Sequence, residues 1–146
     1  MADESRIEQE LARNGRCLFQ TVGHSMEPLL HNRKSTVLIE QTGGPLRKND
    51  VALYRRPDGT HVLHRVIAVR ADHYLIRGDN RIGREHVPYG WVLGKMTGFY
   101  PDESEEFFRC GEAWEQTYLR TLRRQYPLRW LRALPGRMKR RLFSNG

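Results

Sequence analysis

No stretch of this 146-residue sequence reaches the roughly 18 apolar residues of a membrane-spanning helix, so no span is expected. Cysteine is scarce: Cys17 and Cys110 are the only two, far apart and outside any C-x-x-C spacing. They make neither a zinc site nor a disulfide scaffold, and free thiols in a reducing compartment are the expectation. Acidic residues stop at Glu115. Nine Lys and Arg follow in 116–146, leaving 16 of the 25 basic residues set against all 17 acidic ones in the rest of the chain. The formal charge of +8 therefore belongs to the tail, and a surface for an anionic partner is expected there.

What is present amounts to one domain with a modest apolar core. Met1 to Gly15 is charged, carries Ile7 and Leu11 on one side, and reads as a short amphipathic helix, not a secretory signal. Strands are expected at Cys17–Val22, Thr36–Glu40, Asp50–Arg55, Thr60–Arg70, His73–Arg77 and Trp91–Tyr100, with turns at Gly43-Gly-Pro45, Pro57-Asp-Gly59 and Ala71-Asp72. Gly78-Asp-Asn80 reads as a polar loop, and Gly94 and Gly98 mark bulges or bends in the last strand. The expected fold class is mainly β: a small coiled antiparallel sheet domain at 17–101, preceded by an N-terminal helix at 1–16. An acidic linker and a basic amphipathic helical tail at 102–146 follow, with helix breaks at Pro127 and at Pro135-Gly136.

The chemistry centres on Thr21-Val-Gly-His-Ser-Met-Glu-Pro28. A Gly two residues before Ser25 permits a tight turn that holds one hydroxyl out, and backbone amides of such a turn can face a developing oxyanion. A lone Gly-x-Ser is also an ordinary surface turn. In Thr60–Arg70 the alternation of a strand puts His64 on one face with Val62 and Val66, and His61 on the other, so the two imidazoles do not chelate a metal together. A histidine among valines is commonly a core or edge residue; beside an exposed Ser it becomes a base. A Ser hydroxyl needs such a base to take its proton, and neutral imidazole suits that near pH 7. Asp79 is the candidate to orient the ring, or else a turn residue bonded to its own backbone.

The ordered set Val22-Gly-x-Ser25-Met-x-Pro28, Leu46-Arg-x-x-Asp50-Val, His64-Arg-Val-Ile67, Gly78-Asp-Asn80 and Gly94-Lys resembles the signal peptidase I superfamily of serine proteases, which includes the self-cleaving SOS repressors. The likeness spans about residues 18–100. With His64 where bacterial enzymes have Lys, it is similar to the Ser-His branch of the archaeal and endoplasmic-reticulum enzymes. The resemblance implies Ser25 as nucleophile, His64 as general base, Asp79 as supporting acid, Gly23 and Met26 at the oxyanion and substrate side, and Glu85 in the place of a second acid that is usually Asp. It implies a curled β-sheet domain that binds substrate as an extended strand along an open sheet edge, with no cofactor and no metal. Lys95 matches a non-catalytic position.

The expected function is thus a serine endopeptidase that processes a leader or signal segment of a polypeptide through an acyl-enzyme. The alternative is a non-catalytic module of the same fold that holds a peptide, lipid or nucleic acid. With no span, a cytoplasmic location is expected, peripheral at the inner face of the membrane. Residues 116–146, with Trp114, Tyr118, Leu122, Trp130 and Arg137-Met-Lys-Arg-Arg141 among or beside them, would meet anionic lipid or pack on the domain. Nucleic acid is not an expected partner, because the rest of the chain is neutral and carries no reading motif.

Overall fold

The computed structural model describes residues 4–136. They form two compact units, one ending at Cys110 and the other starting at Gly111. The first opens with helix α1, Glu4–Asn14, whose Ile7 and Leu11 are both buried as the four-residue spacing requires. The helix packs on strands β1, Arg16–Gln20, and β7, Val92–Tyr100. The remaining strands are β2, Thr36–Glu40; β3, Val51–Arg55; β4, His61–Val69; β5, His73–Arg77; β6, Glu85–Pro88; and β8, Phe108–Arg109. All pair antiparallel in one sheet in the order β1-β2-β7-β3-β4-β5-β6, with β8 added beside β7.

Burial follows the pleat. Strand β1 alternates exposed and buried, so Cys17 and Phe19 point inward while every second residue meets solvent. Strand β3 is buried at Val51 through Tyr54, which fits its central place, covered on both faces. Its Ala52 and Tyr54 join Leu46, Val62, Val66, Tyr74, Ile76 and Val87 in one apolar cluster. The pairs Ala52↔His64 and Tyr54↔Val62 set His64 on this same face, directly beside the core.

The bulges expected near the glycines of the last strand are present. Strand β7 carries one extra residue between the partners of Leu38 and Ile39, and another between those of Leu53 and Tyr54. Gly94 and Gly98 flank them, and each is bare because a neighbour fills its space. A Cβ on Gly94 would lie 2.6 Å from the Glu40 carbonyl oxygen, and one on Gly98 would meet the Phe107 ring.

Two strands were not expected. Strand β6 lies in a stretch where no element is expected, because Glu-His-Val-Pro turns only Val87 inward and ends in Pro, a composition that suits an edge strand. Strand β8 is two residues long and falls within the stretch read as linker. In the second unit, helix α2 runs unbroken through Ala113–Ala133 with Pro127 inside it, which corrects the expected break there. Arg123 and Pro127 are both exposed, so the carbonyl freed by the missing proline N–H can be hydrated and the helix persists. The helix does end before Pro135: Leu134 is extended, at φ −67° and ψ 142°, the conformation that a following proline imposes. The basic run Arg137–Arg141 lies outside the described residues, among which no helix is long and apolar enough to cross a membrane.

The close approach at Gly94 is to backbone, which cannot swing aside. Gly94→Ala is therefore expected to destabilise the protein by about 1–3 kcal/mol in urea unfolding. Gly43→Ala, where a Cβ meets nothing within 4 Å, is expected to leave the midpoint unchanged.

Candidate active site

Strand β1 ends at Gln20, and the chain then makes a loop closed at its neck. Thr21 N–H donates to the Ser35 carbonyl at 2.9 Å, and Arg33 N–H donates back to the Thr21 carbonyl at 2.8 Å. Gly23 takes φ +100°, open to Gly at little cost, and its N–H donates to Asn32 Oδ1 at 2.7 Å. Met26, Leu29 and Leu30 are buried, so apolar side chains anchor the turn from within. Ser25 is left half-buried at its rim.

A second loop, between β5 and β6, holds this turn from the other side. Asn80 N–H donates to the Ser25 carbonyl at 2.8 Å, and Asn80 Nδ2 donates to the His24 carbonyl at 3.0 Å. Gly78 is the point of closest approach: a Cβ there would lie 2.7 Å from Ser25 O and 3.1 Å from both His64 Nε2 and Arg81 Cγ. The outcome is a contact between residues 39 positions apart, with Ser25 Oγ 3.0 Å from His64 Nε2. That is hydrogen-bond distance for a nucleophile and its base.

The expected carboxylate partner is placed differently. Asp79 is buried, and Arg65 grips both its oxygens, Nε to Oδ1 at 2.8 Å and Nη2 to Oδ2 at 2.9 Å. Arg65 Nη1 also donates to the Asn49 carbonyl at 2.8 Å, and Asp79 N–H to Met26 Sδ at 3.4 Å. Asp79 thus braces the loop from behind through a bidentate pair. Arg65 follows His64 in a strand and so points to the opposite face, which is why its role is not evident from the residues around it.

Glu85 takes part in a separate network. It accepts from Tyr54 Oη at 2.6 Å and from Arg56 at 2.8 and 2.9 Å, and the Arg56 bond holds its carboxyl below the usual range. Tyr54 lies edge-on to His64, ring centroids 6.5 Å apart. Burial, followed by the bond to Glu85, pushes the Tyr54 phenol up. Burial is also the main influence on His64 and lowers it to about 4; the Glu85 charge opposes this, Arg56 and Arg81 add to it, and Asp79 opposes it more weakly. The imidazole is neutral at pH 7, able to accept a proton.

Of the two residues expected at the oxyanion side, Gly23 has its N–H engaged by Asn32. The Met26 side chain is buried under Asp79. The amides of Ser25 and Met26 find no protein acceptor among the described residues, which leaves both able to donate to a bound oxygen. A cleft of about 120 Å³ opens beside them, lined by Thr21–Met26 residues on one wall and by His61, Val62, Leu63 and His64 on the other. Lys95 lies elsewhere, 3.9 Å from Asp50. No three His, Cys, Asp or Glu side chains gather as metal ligands among the described residues.

The chain matches no protein-family model and no curated protein.

What the arrangement can do follows from its geometry alone: an accessible alcohol touches a neutral imidazole, beside a narrow cleft and two unengaged amides. Three outcomes are expected. In a proton NMR titration, the His64 ring is expected to stay neutral as pH falls from 7 and to protonate only near 4; a midpoint at 6.5 would contradict its burial. Asp79→Ala, which strands the Arg65 charge in the interior, is expected to cost about 3–5 kcal/mol in urea unfolding. Lys95→Ala is expected to cost under about 0.5 kcal/mol.

Proposed function

We propose that this chain is a serine endopeptidase of the kind found in the Ser-His branch of the signal peptidase I superfamily, cutting an extended segment of another polypeptide. The observation that carries the reading is the 3.0 Å contact between Ser25 Oγ and His64 Nε2. An antiparallel β domain with that alcohol on a turn after the first strand is in keeping with it.

In the reaction, Ser25 Oγ attacks the scissile carbonyl as its proton passes to His64 Nε2. The Ser25 and Met26 amides receive the oxyanion. The C–N bond then breaks, and the leaving amine takes the proton from His64. Water, deprotonated by the same imidazole, attacks the ester carbonyl; the C–O bond to Ser25 breaks, His64 returns the proton to Oγ, and the acid is released.

Substrate would lie between the two walls of the cleft. Strand β4 pairs with β3 from His61 on, but with β5 only from Arg65 on, so its first residues offer an unpaired edge to an extended peptide. A space of about 120 Å³ suits small side chains before the cut. Among the described residues, a contact with an anionic surface would fall to α2, where Arg120, Arg123 and Arg124 are exposed together with Leu128 and Trp130.

An uncharged fluorophosphonate is expected to label Ser25. Ser25→Ala should abolish labelling, and His64→Ala should slow it by about 10³-fold or more. Gly78→Ala, which must displace Ser25 or the imidazole, should slow it about a hundredfold. Equal labelling of wild type and His64→Ala would rule out the dyad.

A further inference from the structure

Among the described residues, the carboxylates of the loops and strands around the Ser25 and His64 pair have cationic or imidazole partners. Asp79 is held by Arg65, Glu85 by Arg56, and Glu27 bonds His24 Nδ1 at 2.6 Å. Arg81 is different. It is exposed on the loop that grips the nucleophile turn, and its guanidinium forms no ion pair among the described residues. Its position is not arbitrary: its N–H donates to the Gly78 carbonyl at 2.9 Å, and its stem lies across the same bare glycine that the imidazole edge approaches. His64 feels its charge. The guanidinium of Arg81 is therefore a positive charge beside the site with no carboxylate paired to it among the described residues.

The side of the cut that meets this charge can be deduced. The cleft beside Ser25 is lined by residues of 21–30 and 61–64, with neither Gly78 nor Arg81 among them. On the peptidase reading the acyl part of a substrate enters that cleft. The leaving segment must depart past His64 Nε2, which protonates its amine, and Arg81 Cγ lies as near as that atom to the point where a Gly78 Cβ would stand, 3.1 Å for each.

We infer that Arg81 determines specificity by reading an acidic side chain, Asp or Glu, in the first residues after the bond that is cut. The inference rests on the peptidase reading above and names the class of substrate it takes. A guanidinium pairs with a carboxylate through two parallel hydrogen bonds. It also repels a Lys or Arg at the same place, so discrimination has both an attractive and a repulsive part. As the site is exposed, the preference weakens with salt.

The test uses the full chain and a mixture of random-sequence peptides, with the new N-termini sequenced after incubation. Wild type is expected to show Asp and Glu enriched about tenfold over Lys and Arg in the first three residues, and less so in 1 M salt. Arg81→Gln should abolish the preference, and Arg81→Glu should reverse it. An even distribution, or a preference unchanged in Arg81→Glu, would overturn the inference.

A binding measurement does not depend on turnover. In the Ser25→Ala protein, a fluorescent Ala-rich peptide ending in Asp-Glu should bind about tenfold more tightly than its Lys-Lys counterpart. The further change Arg81→Gln should equalise the two, and equal affinities before that change would sink the proposal. Fluorophosphonate labelling of Ser25 reports on the peptidase reading alone. Labelling without charge preference removes the role of Arg81 and leaves the enzyme. Charge preference without labelling keeps Arg81 as a reader of acidic peptides and removes the chemistry.

Discussion

The missing side chain at position 78 is the constraint on which the site depends. Three groups share the space a Cβ would need: the Ser25 carbonyl, the His64 ring and the stem of Arg81. Because none is pushed away, Asn80 can bond the backbone on both sides of the Ser25 peptide unit. The alcohol is thereby held by main-chain bonds from one loop and by the buried Met26 and Leu30 of its own turn. An alcohol and a base kept within a few tenths of an ångström of contact need little reorganisation before proton transfer. The bidentate Arg65 pair extends this bracing to the far face of β4, so one strand supplies both the base and the anchor of the loop that positions its partner.

The same logic explains what could be read from residues alone and what could not. The spans of β2 and β5, Thr36–Glu40 and His73–Arg77, were legible to the residue, because β-branched and aromatic residues alternate there between clear turns. The bulges of β7 announced themselves through Gly94 and Gly98. Strand β6 gave no such signal, since an edge strand with one inward residue looks like loop. Pro127 misled for a related reason: local propensity disfavours it inside a helix, yet an exposed position lets solvent complete the backbone bonding.

In the site, Ser25 and His64 were legible because each stands in a patterned segment, a Gly-containing turn and an alternating strand. The partner of Asp79 was not. A carboxylate in a Gly-Asp-Asn loop has no local feature that chooses between an imidazole and a guanidinium; the choice is made by β4, which turns His64 to one face and Arg65 to the other. Asn32, which occupies the Gly23 amide, is equally hidden, being a polar residue in a polar loop nine positions away.

The placement of Asp79 has a consequence for the imidazole. Lowering His64 from 6.5 to about 4 corresponds to roughly 3 kcal/mol in favour of the neutral ring, so the resting site holds a base and not an acid. A carboxylate bonded directly to the ring would have opposed this by stabilising the imidazolium before any proton arrived. Instead the negative charge that most favours a protonated His64 is that of Glu85, ahead of Asp79. Glu85 is already bonded to Tyr54 and Arg56, and it acts on the ring through space. On the peptidase reading this divides two demands that a single carboxylate would set in conflict. Asp79 serves geometry from within the Arg65 pair, and Glu85 tempers the cost of charging the ring once Ser25 has given up its proton.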